Sequence, residues 1–280
     1  MSEELLSPGR TFGVIGAGVM GTALLKGILD QGLVSHQQAW GAAKTDASCE
    51  EVSRRLGVQA VTDFAPLVGD AEILLLAVKP GQVARITQTL TAAGLRPDTL
   101  LITVLAGVTT ARLEDLLDPA QPRVIRAMPN TPCLVGHGVT VYCGGRWTKP
   151  EDLSRARAIF AAAGRTFPVE EHYFNAITAL SGSGPAYMYL VMEALADAGV
   201  RVGLPRELAM DLVAQTMLGS ARMVQETGRH PAALRDDVTT PAGCTIGGLL
   251  MLEDGKIRSV LARAVEEATR IVDQLGKPKN

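Results

Sequence analysis

With a formal net charge of −2 over 280 residues, the chain has almost no surplus of either sign. That excludes a general attraction to nucleic acid or acidic membranes, so an anionic ligand must be captured by local geometry. Cysteine is scarce too: Cys49, Cys133, Cys143 and Cys244 are scattered, with no CxxC pair. Cys133 and His137 have a ligand-like separation, but no second pair accompanies them and a structural zinc wants four ligands. No metal is therefore expected, and the thiols are expected to be reduced, as in the cytoplasm. Apolar runs of bilayer length are missing; the nearest, Leu180 to Val200, contains Glu193 and Asp197. The start MSEELLSPGR lacks the charged-then-apolar order of a signal peptide. Neither export nor membrane insertion is expected. Lysine is absent between Glu171 and Gly255, so that stretch offers no lysine for acid–base work.

What is present is core material. Apolar residues make up 47% and charged residues 20%, a globular balance at a length suited to two domains. Short apolar runs alternate with amphipathic stretches in the first part. Strands are expected at Thr11–Ile15, Ala39–Ala43, Val58–Val61, Ile73–Val78, Leu100–Leu105 and Val124–Ala127. Helices are expected at Val19–Gln31, Ala47–Leu56, Gln82–Ala93 and Thr110–Leu117. This βαβα order implies an α/β fold, a mostly parallel sheet covered by helices on both faces. Val139–Cys143 and Thr166–Val169 read as extra edge strands around a helix starting near Pro150.

After Glu171 strand signals vanish. The expected division is a dinucleotide-binding domain over residues 1–170 and an all-helical domain over 171–280. Apolar positions from Ile257 to Leu275 follow one helical face, ending at Gly276. Ala186–Ala198 and Leu208–Val224 are apolar almost all round, which marks helices covered on more than one side. A domain of about 110 residues is too small to cover both alone, so cover comes from a second subunit, the favoured reading, or from the first domain.

The strongest motif is Gly16-Ala17-Gly18-Val19-Met20-Gly21, directly after a strand and opening a helix. Gly16 permits the tight turn, Gly18 the approach of a pyrophosphate, and Gly21 close helix–strand packing. The helix start then offers free N–H groups to phosphates. An NAD site usually has Asp or Glu at the end of the second strand, but here Ala43 is followed by Lys44. That favours NADP, with NADH as the alternative coenzyme. Ala77-Val78-Lys79-Pro80 and Leu105-Ala106-Gly107-Val108 lie where open α/β sheets bind ligands, and the loop Arg126 to Pro132 lies on the same edge.

On the substrate side, two segments suit a small ligand. Leu180 to Ala186 is rich in small residues and leads into an apolar helix. Asp236 to Ile246 is a loop running into another. N–H groups at such a helix start can hold a carboxylate.

Taken in order, GAGVMG, AVKP, AGV, RAMPNTP, LSGSGPAY, the GLP turn and TPAGCTI resemble pyrroline-5-carboxylate reductase over essentially the whole chain. The resemblance implies a Rossmann domain, a helical domain and a homodimer built from the helices, with rings of dimers in some members. It implies reduction of Δ1-pyrroline-5-carboxylate to L-proline, the last step of proline biosynthesis. Carried onto this sequence, Ile15, Gly16, Ala17, Gly18, Val19 and Met20 would hold the cofactor phosphates. Ala77, Val78, Lys79, Pro80 and Ala106 would line the dinucleotide, and Asp237 would approach its nicotinamide end. Glu171, Gly243, Cys244 and Thr245 would form the substrate pocket, with Thr245 as hydrogen-bond partner of the ring nitrogen. Three positions depart from the family pattern: Ala242 stands where a glycine is common, Phe64 where an asparagine is expected, and Ala43 where some members have serine.

Two other readings compete. A β-hydroxyacid-dehydrogenase-like reductase needs an acid–base group in its helical domain, and the missing lysines count against it. A non-catalytic dinucleotide-sensing module would carry a basic helix-turn-helix or an interaction tail, and neither is evident.

Overall fold

A strand covered on both faces needs an apolar side chain at every position, and the run Ala71–Leu76 nearly supplies them. In the computed structural model, which describes residues 5–275, this run is one strand of an eight-stranded sheet. The strands are β1 (Thr11–Ile15), β2 (Ala39–Ala42), β3 (Gln59–Val61), β4 (Ala71–Leu76), β5 (Leu100–Thr103), β6 (Arg123–Met128), β7 (Gly138–Gly144) and β8 (Gly164–Pro168). Their order is β3-β2-β1-β4-β5-β6-β7-β8. Neighbours from β3 to β6 are parallel, β7 runs antiparallel to β6, and β8 is parallel to β7. The order reverses between β1 and β4, the switch point at which such sheets bind ligands.

Alternation divides the core. Ile73 and Leu75 enter one buried layer with Phe12, Val14, Leu25 and Phe160. Leu74 and Leu76 enter the other with Ile15, Trp40, Ile86 and Leu101. The helices α1 (Val19–Asp30), α2 (Asp46–Leu56), α3 (Val83–Ala92), α4 (Thr110–Leu116) and α5 (Pro150–Ala161) connect the strands. Thr45 caps α2 by accepting from Ser48 N at 3.3 Å, and Thr109 caps α4 by accepting from Arg112 N at 3.2 Å.

Several expected bounds shift. β4 and β5 stop at Leu76 and Thr103, because Ala77 and Val104 keep one strand-like bond each, to Ile15 O (2.8 Å) and Leu76 O (3.1 Å), before the loops begin. Gln82 belongs to a tight 3-10 turn before α3, since Pro80 opens that turn. Arg126, counted both in the expected strand Val124–Ala127 and in the loop after it, is inside β6, which runs on to Met128. Val139–Cys143 is not an edge strand, because β7 is hydrogen-bonded on both sides; alternation of side chains cannot reveal how many neighbours a strand has. The true edge is β8, where Pro168 is tolerated.

The remaining helices are α6 (Phe174–Ile177), which continues into a π-turn at Thr178–Gly182, then α7 (Gly184–Arg201), α8 (Arg206–Thr227), α9 (Pro231–Asp237), α10 (Cys244–Asp254) and α11 (Ile257–Leu275). Two compact units result. One contains the sheet, the residues up to Gly182 and those from Thr269; the other is Ser183–Ala268. Within the second, α7 and α8 approach closely at Gly199, where an added Cβ would lie 3.0 Å from Ala209 Cβ. Among the described residues no helix is long and apolar enough to cross a membrane. The acidic start before Leu5 and the expected helix stop at Gly276 lie outside the described residues.

Candidate functional site

The glycine-rich turn joins β1 to α1 at the switch point. Gly16 has φ +98°, and a Cβ there would meet the Ala77 carbonyl at 2.7 Å. At Gly21 a Cβ would lie 2.4 Å from Gly16 O, so the helix can rest on the strand only because that position is bare. Gly18 differs: a Cβ built on it meets nothing within 4 Å. Gly18 is also the N-cap of α1, with no side-chain cap and no acid in the first turn. The first N–H groups of a twelve-residue helix therefore face open space, as a pyrophosphate-binding turn requires. The residues present fit a dinucleotide.

Hollows flank this turn. One of ≈350 Å³ is lined by Ile15, Gly16, Ala42, Ala43, Lys44, Thr62, Phe64, Val78, Gln82, Arg85 and Ile86. Another of ≈490 Å³ includes Ala17, Gly18, Val19 and Thr22. The expected dinucleotide residues Ile15 to Val19 and Lys44 thus line space, whereas Met20 packs on the core. Val78 lines the smaller hollow; Ala77 donates to β1, and Lys79 and Pro80 lead into the turn before α3. Ala106 packs beside Met128, Val141, Cys143 and Phe174. Thr62, Gln82 and Arg85 were not foreseen. Gln82, in the turn before α3, and Arg85, on α3, carry no sequence pattern that separates them from solvated residues.

Glu171 has protein partners. Its Oε1 accepts from Thr110 N (2.8 Å) and from Arg126 Nη1 (3.1 Å), and its Oε2 accepts from Thr110 Oγ1 (2.8 Å). Arg126 is buried, with its guanidinium 4.4 Å from the Phe174 ring centre. The carboxylate therefore neutralises a buried cation and caps α4. A hollow of ≈420 Å³ borders the group, lined by Gly107, Thr109, Arg126, Glu171, His172, Asn175, Val272 and Asp273. Burial, and then the Glu171 charge, push the neighbouring Cys143 thiol up to about 12, so it stays protonated. Arg126 had one signal in the sequence, a charge at an interior position of an otherwise apolar strand.

Gly243, Cys244 and Thr245 belong to the helical unit. Gly243 is the N-cap of α10 without a side-chain cap, and Cys244 is exposed at the first helical position. The preceding Ala242 has φ +56°, a left-handed conformation that favours glycine. The extra methyl group noted in the sequence therefore sits on a strained residue. Asp237, at the end of α9, accepts from Arg229 Nη1 at 2.6 Å; that hydrogen bond holds its carboxyl below the usual range.

Comparison with known proteins reaches both parts of the chain. A family model described as pyrroline-5-carboxylate reductase dimerisation matches residues 171–275, and one described as NADP oxidoreductase, coenzyme F420-dependent, matches residues 11–107. The chain is 40% identical over 266 residues to pyrroline-5-carboxylate reductase of Synechocystis, covering 95% of this chain and 98% of that protein. The solved structure of a pyrroline-5-carboxylate reductase from Coxiella burnetii superposes with a TM-score of 0.88 at 32% identity, over 96% of this chain and 100% of the other. That of the Plasmodium falciparum pyrroline carboxylate reductase, described with NADP bound, gives 0.85 at 30% identity over 96% and 98%. With likeness of this level running through the sheet and the helices alike, the chain belongs to the pyrroline-5-carboxylate reductase family.

Proposed function

We propose that the protein reduces Δ1-pyrroline-5-carboxylate to L-proline with NADPH, NADH being the weaker coenzyme. The observation that carries this reading is the 40% identity, sustained over nearly the full length, to a protein of that activity. When bound at the turn, the reduced nicotinamide supplies a hydride. The chain's own residues do the positioning. Amides at the start of α1 hold the pyrophosphate, framed by Ile15, Gly16, Ala17, Gly18, Val19 and Met20. Lys44 attends the adenosine end. Ala77, Val78, Lys79, Pro80 and Ala106 line the path toward the nicotinamide, which Asp237 approaches.

Amides of Gly243 to Thr245 receive the substrate carboxylate, and Thr245 Oγ1 accepts a hydrogen bond from the protonated ring nitrogen. Glu171 helps define the pocket, acting through its ties to Arg126 and Thr110. The C=N carbon gains the hydride, its π electrons become the nitrogen lone pair, and the nitrogen keeps its proton. A protonated imine is already a strong electrophile, so orientation can supply the rate, an effect worth ~7–11 kcal/mol. A strong side-chain acid is not required.

Residues 1–170 form the dinucleotide-binding domain in this reading, and 171–280 the substrate-binding and dimerisation domain. The exposed apolar faces of α7 and α8 support a homodimer, which can assemble further into a ring of dimers. Free thiols, three of them buried, suit the reducing cytoplasm. The test is to mix purified protein with pyrroline-5-carboxylate and either coenzyme, follow nicotinamide absorbance and identify the product. Proline is expected. Turnover of a hydroxy acid instead, or coenzyme binding without any turnover, would overturn the proposal.

A further inference from the structure

Building on the coenzyme reading above, we infer that Arg85 on α3, acting with Lys44 at the end of β2, recognises the 2′-phosphate of the coenzyme. Arg85 thereby sets the preference for NADPH. The ≈350 Å³ hollow beside the glycine turn has an apolar floor that includes Phe64, Val78 and Ile86. Its only charged lining residues are Lys44 and Arg85, so two cations face the space and no carboxylate does. Asp46 and Asp63, the acids next along the chain, line a different hollow.

Among the described residues, neither Lys44 nor Arg85 is in an ion pair. The arginines of α2 contrast with them: Arg54 and Arg55 are both matched to Glu51. Arg85 also has a fixed base. Its neighbours Ile86 and Thr87 are 3% and 1% exposed, so α3 is anchored to the sheet and presents Arg85 from a constant position.

The chemistry follows from these placements. A ribose 2′-hydroxyl is recognised by a carboxylate, which would repel a 2′-phosphate; here that carboxylate is missing. A phosphate monoester carries nearly two negative charges, which one lysine only partly offsets. Arginine adds a planar fork able to donate two parallel N–H bonds to phosphate oxygens, whereas lysine contributes a point charge. Arg85 is therefore the residue that reads the phosphate's shape, and Lys44 adds attraction.

The test uses 2′,5′-ADP and 5′-AMP, which differ only in the 2′-phosphate, titrated calorimetrically into the full-length protein without substrate. The wild type should bind 2′,5′-ADP at least about tenfold more tightly than 5′-AMP. Arg85→Ala should weaken 2′,5′-ADP about ten- to hundredfold, the range for a lost charge-assisted bond, and leave 5′-AMP within about twofold. Lys44→Ala should act the same way to a smaller extent. Equal affinity of the wild type for the two nucleotides, or an unchanged preference in Arg85→Ala, would overturn the assignment. NADH-driven formation of proline by the wild type separates the two readings. If it proceeds while the nucleotide preference is missing, Arg85 alone is misassigned. If nucleotides bind with the stated preference and no proline forms with either coenzyme, the catalytic reading fails and the phosphate site stands.

Discussion

The sheet unit and the helical unit treat the same kind of residue in opposite ways. In the sheet unit Leu74, Leu75, Leu76, Leu101 and Ile102 are each 0% exposed. In the helical unit α7 buries only Ala196 and α8 only Ala209, while α10 buries nothing. Leu190 is 65% exposed and Met251 67%. The difference lies in geometry. A sheet with helices on both faces closes around its own side chains, whereas a helix that is apolar all round leaves more surface than a few short neighbours can cover. One unit completes its core within the protomer. The other leaves apolar faces open, the ones proposed above to be shared with a second copy.

The largest expected effect tests the closed unit. Leu75→Ala should cost ~2–5 kcal/mol in denaturant unfolding, with a midpoint independent of protein concentration beyond the wild-type dependence. A loss below ~1 kcal/mol would mean that this layer is less tightly closed than its burial indicates.

Next comes the open unit. Leu190→Asp places a charge on a face proposed to be shared, and sedimentation should show single chains at concentrations where the wild type is dimeric. The variant sedimenting as the wild type does would remove Leu190 from the interface. A smaller effect sharpens the chemistry that α10 is proposed to perform. Thr245→Ala should lower kcat/KM by ~1–3 kcal/mol, the scale of one unpaired polar group, with no change in coenzyme affinity. Full turnover would remove Thr245 from the proposed role.

The smallest effect concerns strain. Ala242→Gly relaxes a residue at φ +56° and should raise the unfolding midpoint by the equivalent of ~0.5–1 kcal/mol, the relief of strain exceeding the greater freedom of glycine in the unfolded chain. A clear destabilisation would show that the alanine methyl group makes contacts that outweigh its strained backbone.

Much of this was legible in the residues. The βαβα order announced a mostly parallel sheet covered on both faces, and GAGVMG announced a glycine turn between β1 and a helix. The all-round apolar helices announced an unfinished surface. Other features could not be read in advance. Arg126 and Glu171 are 45 positions apart, and nothing in either segment names the other as its partner. Arg85 has the pattern of any solvated helix residue until α3 is docked beside β2.

The order of amino acids by itself determined where strands and helices form, because periodicity and glycine conformations act over a few neighbouring residues. It also determined that a glycine turn leads from β1 into a helix start without a side-chain cap. Only the tertiary structure decided that β7 has a neighbour on each side, that the Glu171 carboxylate neutralises Arg126, and that two cations share one hollow. Each of those depends on groups brought together across long stretches of chain, where proximity is settled by packing the whole sheet.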